Sequence, residues 1–135
     1  MIVPDILRQA VIDRAHHSCE YCRISQLAQE ATFHVDHIAP QTAGGATVLE
    51  NLALACVTCS LRKAARENVI DPETGAVVPI FHPRRDQWRD HFTLNGARII
   101  GLTPTGRGTV EALQMNRRHA LDVRTEEQLR GRFHV

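Results

Sequence analysis

An α+β fold is predicted for this chain from three observations. Its 135 residues suit one modest domain, large enough for a core yet small enough that a structural metal would help. Stretches with helical spacing of apolar residues alternate with short segments of strand character. All four cysteines fall into two Cys-x-x-Cys pairs, "CEYC" (Cys19, Cys22) and "CVTC" (Cys56, Cys59), with 33 residues between Cys22 and Cys56.

Ile6, Leu7, Ala10 and Val11 follow helical spacing, and Pro4 sits where a first turn tolerates it, so a helix is expected from residue 4 to about 16. It delivers the chain to the first cysteine pair. "RISQLAQEA" fits a short helix or a loop, and "TFHVDHI" alternates like a strand. "APQTAGGAT" is loop by its proline and paired glycines. "VLENLALA" suits a strand or the opening of a helix, whereas "CVTCSLRKAARENV" is rich in helix formers and is expected to be helical throughout. "DPETGAVVPIFHP" reads as a turn and then extended chain, "RRDQWRDHF" as helix, and "GARIIGL" as strand. Thr103 before Pro104 marks a helix start that would carry "GRGTVEALQMN". A last short helix is expected from Thr125, where Thr-Glu-Glu-Gln fits a capping box.

Two residues between thiolates let one turn present both sulfurs to a single ion, and two such turns complete a tetrahedral four-sulfur zinc site. Cys19, Cys22, Cys56 and Cys59 are therefore the expected ligands of a structural zinc. Such a site has no open position, so it staples rather than catalyses, and its binding energy becomes folding energy. The competing reading is two disulfides or free thiols, and the lack of a secretion signal argues against it. Thioredoxin-type redox chemistry would need only one pair and a βαβ context that is missing. No apolar stretch reaches membrane-spanning length and the N-terminus lacks a signal pattern, so no membrane partner and a cytoplasmic location are expected.

The net charge of +1 does not announce a nucleic-acid binder, but its distribution is uneven. Residues 1 to 59 hold 3 basic and 6 acidic side chains, and residues 60 to 135 hold 13 and 9. Of the 16 basic residues only Lys63 is a lysine, and arginine's planar fork suits bidentate phosphate contacts. Trp88, His91 and Phe92, beside the arginines at helical spacing, read as core packing ahead of base stacking.

"HVDHIAP", His34 to Pro40, lies between the cysteine pairs, so folding around zinc would hold it against the helix near Cys56. A carboxylate suits a hard cation such as Mg²⁺. A neutral imidazole can take a proton from water at physiological pH, and an asparagine amide can orient it. Gly44 and Gly45 would let backbone approach a bulky ligand. Asp36, His37 and Asn51 are thus the parts of metal-assisted phosphodiester hydrolysis. Strict alternation points Asp36 and His37 to opposite strand faces, and a strand that ends or bends near His37, as Pro40 suggests, resolves this.

The order of Cys-x-x-Cys, "VDHIAP", "GG", "ENLALAC", Cys-x-x-Cys and "LRK" resembles the HNH endonuclease family over about residues 15 to 66. The resemblance implies a zinc-stapled ββα-metal core of the His-Me finger, treble-clef-like kind, with flanking helices and a C-terminal strand and helix extension. One domain over 1–135 is expected, with the nuclease core at 15–66 and the extension at 67–135 packing on it. Carried over by position, the resemblance makes Asp36 a catalytic-metal ligand, His37 the general base and Asn51 its orienting residue. The family's second metal ligand, histidine or asparagine, falls at Ser60, and His34, two residues before Asp36 on the same strand face, is a candidate to compensate.

The implied reaction is hydrolysis of DNA, double-stranded and read with little base preference, using one Mg²⁺ or Mn²⁺ and leaving a 3′ hydroxyl and a 5′ phosphate. Arg62, Lys63, Arg66, Arg84 and Arg85 are the expected backbone contacts. The main rival is a zinc-stabilised nucleic-acid-binding module with weak catalysis, which Ser60 favours. A zinc-dependent hydrolase of small molecules would need an open zinc position that four cysteines do not leave.

Overall fold

A computed structural model describes residues 3–135. The chain runs helix α1 (Asp5–Arg14), strands β1 (His34–His37) and β2 (Leu52–Ala55), helix α2 (Val57–Lys63), and strands β3 (Asn68–Ile70) and β4 (Val77–Pro79). Then come helix α3 (Trp88–His91), strands β5 (Phe92–Asn95) and β6 (Arg98–Gly101), and helices α4 (Pro104–Leu113) and α5 (Arg118–Leu129). Among the described residues each strand pairs antiparallel with its sequence neighbour, giving three separate ribbons. A two-stranded ribbon is marginal alone, so the helices and the cysteine cluster must hold the three together.

β1 and β2 are registered His34 to Ala55 and His37 to Leu52. All four residues of β2 are buried, which explains its unbroken apolar "LALA" sequence, while β1 buries only Val35. Both arms of the Arg14 guanidinium tie α1 to the chain entering β2, donating to the Leu49 and Leu52 carbonyls at 2.9 and 2.6 Å. No helix among the described residues is long and apolar enough to cross a membrane.

Four segments differ from the sequence expectation. The helix after Cys56 stops at Lys63, because the chain turns sharply there: Arg66 N donates to the Lys63 carbonyl at 2.9 Å across Ala64, whose φ and ψ are 48° and −126°. Those angles belong to the first central residue of a type II′ turn, a glycine position. Helix formers in "AARENV" thus yield to a turn that starts β3. "RRDQWRDHF" is helical only over Trp88–His91, since Phe92 is drawn into β5 and buries its ring at 1% exposure. Thr125 is not a helix start. It lies inside α5, where its hydroxyl donates back to the Leu121 carbonyl at 2.8 Å. α5 instead begins at Arg118, and its buried Ala120, Val123, Arg124 and Glu127 account for its length. Near the N-terminus α1 ends at Arg14, and His16 and His17 take positive φ.

The C-terminal half packs on the first by polar as well as apolar contacts. Trp88 Nε1 donates to the Tyr21 carbonyl at 2.9 Å, and Phe81 packs edge-on against His91 and Phe92; the Trp88, Phe81 and Phe92 rings are core and His91 is half-buried. α4 is capped as expected, with Thr103 Oγ1 accepting from Gly106 N at 2.9 Å.

Candidate active site

Each cysteine pair forms a tight turn in which the second cysteine's amide donates to the first sulfur at 3.4 Å, Cys22 to Cys19 and Cys59 to Cys56. Glu20 anchors the first turn to β2. Its amide donates to the Leu54 carbonyl at 2.8 Å and its carboxylate accepts from Leu54 N at 2.8 Å. β2 runs directly into Cys56, which caps α2. The four sulfurs are buried and lie within 4.8 Å of one another. Cys22 and Cys56 are 3.7 Å apart, far beyond a disulfide, and close to the roughly 3.8 Å edge of a tetrahedron built on zinc–sulfur bonds of about 2.3 Å. The cluster is positioned to hold a metal ion and is compatible with structural zinc.

Four thiolates around a divalent cation carry excess negative charge, and two arginines of the C-terminal half answer it. Arg117 Nη2 donates to Cys56 Sγ at 3.4 Å. Burial works against its charge, yet the thiolates of Cys22, Cys56 and Cys59 outweigh it and raise the Arg117 pKa. Arg124 is fully buried and donates to the Cys22 carbonyl at 2.9 Å, and also to the carbonyls of Ala97 and Met115 at 2.6 Å each. Neither residue was singled out from the sequence, where they are two arginines among fifteen.

The second cluster lies across β1 and α2. Ser60 Oγ donates to Asp36 Oδ1 at 3.0 Å, and His34 Nδ1 is 2.7 Å from the same Oγ. His37, the last residue of β1, places Nε2 2.8 Å from Thr47 Oγ1. Asp36, His37 and Ser60 nevertheless line one depression of about 320 Å³, together with Pro40, Gln41, Thr42, Ala64 and Ala65. The end of the strand at His37 lets neighbouring residues reach the same space.

Asn51 acts differently from the expectation that its amide grips the imidazole. Its Oδ1 accepts from Ala39 N at 2.8 Å, and its Nδ2 donates to the Ala39 and Ala46 carbonyls at 3.0 and 2.9 Å. It therefore folds the loop after His37 rather than touching the ring. Gly45 is required there: a Cβ would fall 1.9 Å from the Ala39 carbonyl oxygen and 2.8 Å from Asn51 Nδ2. The residue that does contact His37 is Thr47, which the sequence did not distinguish from its loop neighbours.

The HNH endonuclease family model matches residues 19–66, which include all four cysteines, Asp36, His37, Asn51 and Ser60. Over those residues the chain is similar to HNH endonucleases. No curated protein and no solved structure matches the chain.

Around this HNH segment the predicted basic contacts divide. Lys63 is withdrawn: it is 0% exposed, and its Nζ donates to the His37 and Ile38 carbonyls at 3.3 and 3.0 Å. Burial lowers its pKa against the opposing charges of Asp36 and Glu67. It clamps α2 onto the end of β1 and has no surface to offer a phosphate. Arg84 is likewise engaged, paired with Glu20 in a half-buried ion pair, and burial depresses its pKa to about 10. Arg62 is exposed but its Nε donates to the Ala112 carbonyl at 3.0 Å. Arg66 and Arg85 are exposed. Arg66 follows Ala64 and Ala65 of the depression, and Arg85 lines a neighbouring hollow with Ile38 and Ala39.

Proposed function

We propose that this protein is a metal-dependent HNH endonuclease that hydrolyses phosphodiester bonds of double-stranded DNA in the cytoplasm, on a zinc-stapled ββα-metal core. The observation that carries the reading is the shared depression in which Asp36 and His37 meet between β1 and α2. A carboxylate at an open, water-accessible hollow suits Mg²⁺ or Mn²⁺, which bind through one or two carboxylates and keep several waters. Bound there, such an ion would polarise the phosphate and stabilise charge on the leaving oxygen.

Asp36 is the assigned ligand and His37 the general base. Nε2 of His37 lies 2.8 Å from the Thr47 hydroxyl; in the tautomer that donates Nε2–H to it, the lone pair is on Nδ1, where it can take a proton from the attacking water. Asn51 and Gly45 fix the loop that follows the base, and Lys63 fixes the carbonyls of His37 and Ile38. Arg66 and Arg85 serve as phosphate contacts that position DNA without reading its sequence. The four cysteines hold zinc and stay out of the chemistry.

Plasmid nicking with Mg²⁺, Mn²⁺ or no metal, beside His37→Ala, tests this. Metal-dependent nicking that falls at least a hundredfold in His37→Ala is expected, within the usual range for losing a general base. One observation favours the rival, a zinc-stabilised nucleic-acid-binding module: the Ser60 hydroxyl is already committed to His34 and Asp36. DNA binding without nicking in either protein would select it.

A further inference from the structure

The hydrogen bonds at Ser60 obey a strict count of protons. A serine hydroxyl has one proton and two lone pairs, and an ionised carboxylate has no proton to give. Ser60 Oγ stands 3.0 Å from Asp36 Oδ1 and 2.7 Å from His34 Nδ1. Were the hydroxyl proton given to His34, Oγ and Oδ1 would face each other as two acceptors. One arrangement satisfies all three groups: the proton of Ser60 goes to Asp36, and His34 donates Nδ1–H to Ser60.

We propose that His34 is a positioning residue that acts through Ser60 on Asp36, and that the relay of ring, hydroxyl and carboxylate replaces the second direct metal ligand that a histidine or asparagine at position 60 would supply. This rests on the nuclease reading for its purpose but not for its geometry. The relay fixes Asp36 Oδ1, so that Oδ2 keeps one orientation toward the depression. Ser60 lines that depression with Asp36, whereas His34 is absent from its lining and stands behind the hydroxyl. The strand supplies the spacing, because residues 34 and 36 share a face of β1 and α2 lays Ser60 across both. His34 is half-buried, which shields the chain of hydrogen bonds from exchange with water.

The proposal separates from its alternative, His34 as a direct ligand, by two measurements. Long-range ¹H–¹⁵N correlation spectra of the zinc-loaded protein without Mg²⁺ should show His34 with its proton on Nδ1. The Nε2–H tautomer would overturn the relay, whatever the protein's activity. The second measurement is Mn²⁺ affinity by calorimetry for wild type, His34→Ala, His34→Asn and Ser60→Ala. An asparagine amide can reproduce the Nδ1–H donor but offers nothing in place of Nε2. Losses of about tenfold are expected for His34→Ala and Ser60→Ala, the scale of removing a hydrogen-bond support from a metal ligand. A protein carrying both His34→Ala and Ser60→Ala, measured alongside, should be no weaker than either single variant, and His34→Asn should recover most of the wild-type affinity. A His34→Asn protein as weak as His34→Ala, with ¹⁴N coupling to Mn²⁺ in the wild-type pulsed EPR spectrum, would make the ring a ligand and sink the proposal. Failure of the wild type to nick plasmid refutes the nuclease reading alone, since the tautomer is read without it.

Discussion

Replacing Ala64 with glycine is expected to raise the protein's stability, although alanine is normally the more stabilising of the two. Ala64 holds φ 48° and ψ −126° between Lys63 and Arg66, where an L-residue's Cβ crowds the backbone. Residues forced into such regions carry strain of the order of 1–3 kcal/mol. Glycine relieves it and gives back about 0.4–1 kcal/mol through the greater freedom of the unfolded chain. Ala64 is exposed, so its methyl group contributes little burial to offset. The balance is about 1 kcal/mol in favour of glycine. With an unfolding entropy of about 2.1 cal/mol/K per residue, a chain of 135 residues should gain about 3–4 °C in Tm. Thermal unfolding of the zinc-loaded wild type and Ala64→Gly, followed by circular dichroism, measures this directly. An unchanged or lower Tm would refute the reasoning, because it would mean that the turn is unstrained or that the methyl group makes contacts worth more than the strain.

Three further outcomes follow from the same geometry. Arg124→Met should cost at least about 3 kcal/mol, seen as a lower urea midpoint, because it strands the buried carbonyls of Cys22 and Met115 and the half-buried one of Ala97. A strong chelator should release a single equivalent of zinc, detected by a colorimetric dye, with concerted loss of the near-ultraviolet circular dichroism of Trp88 and Tyr21. The Arg107 guanidinium holds the buried Asp71 carboxyl well below the usual carboxylate range, against the effect of its burial. A carboxyl depressed in the folded state contributes its full stability above its unfolded value of about 4, and that contribution drains away as the pH falls below it. Asp71→Asn should therefore flatten the acid limb of a plot of urea midpoint against pH, and an unaltered limb would exclude this pair as its cause.

The cysteine cluster was legible because the spacing that suits a metal ligand pair is local: Cys-x-x-Cys is read along the chain, and only the meeting of the two pairs is tertiary. β1 and α4 were legible for similar local reasons, alternation for the strand and a Thr-Pro start for the helix. The long helix expected after Cys56 was misread because propensity is a weak prior that one turn can override. Lys63 and Arg84 looked like phosphate contacts because a charge in sequence says nothing of whether it is buried. Thr47 and Arg117 escaped notice for the opposite reason, being ordinary residues whose partners lie 10 and 61 positions away. Asn51 was placed at the right loop with the wrong partner, since an amide's choice between ring and backbone depends on where the loop carbonyls fall.

The reach of Arg117 and Arg124 back to the cysteine cluster bears on how the protein is made. Cys59 leaves the ribosome well before Arg124 does, so a nascent chain can gather its sulfurs around an ion while the cations that neutralise and brace them are still untranslated. The growing polypeptide would pass through an interval with an under-supported, labile grip on the metal. A fragment cut out at residues 19–66 would remain in that interval permanently, which makes the excised segment a poor module for grafting onto other scaffolds.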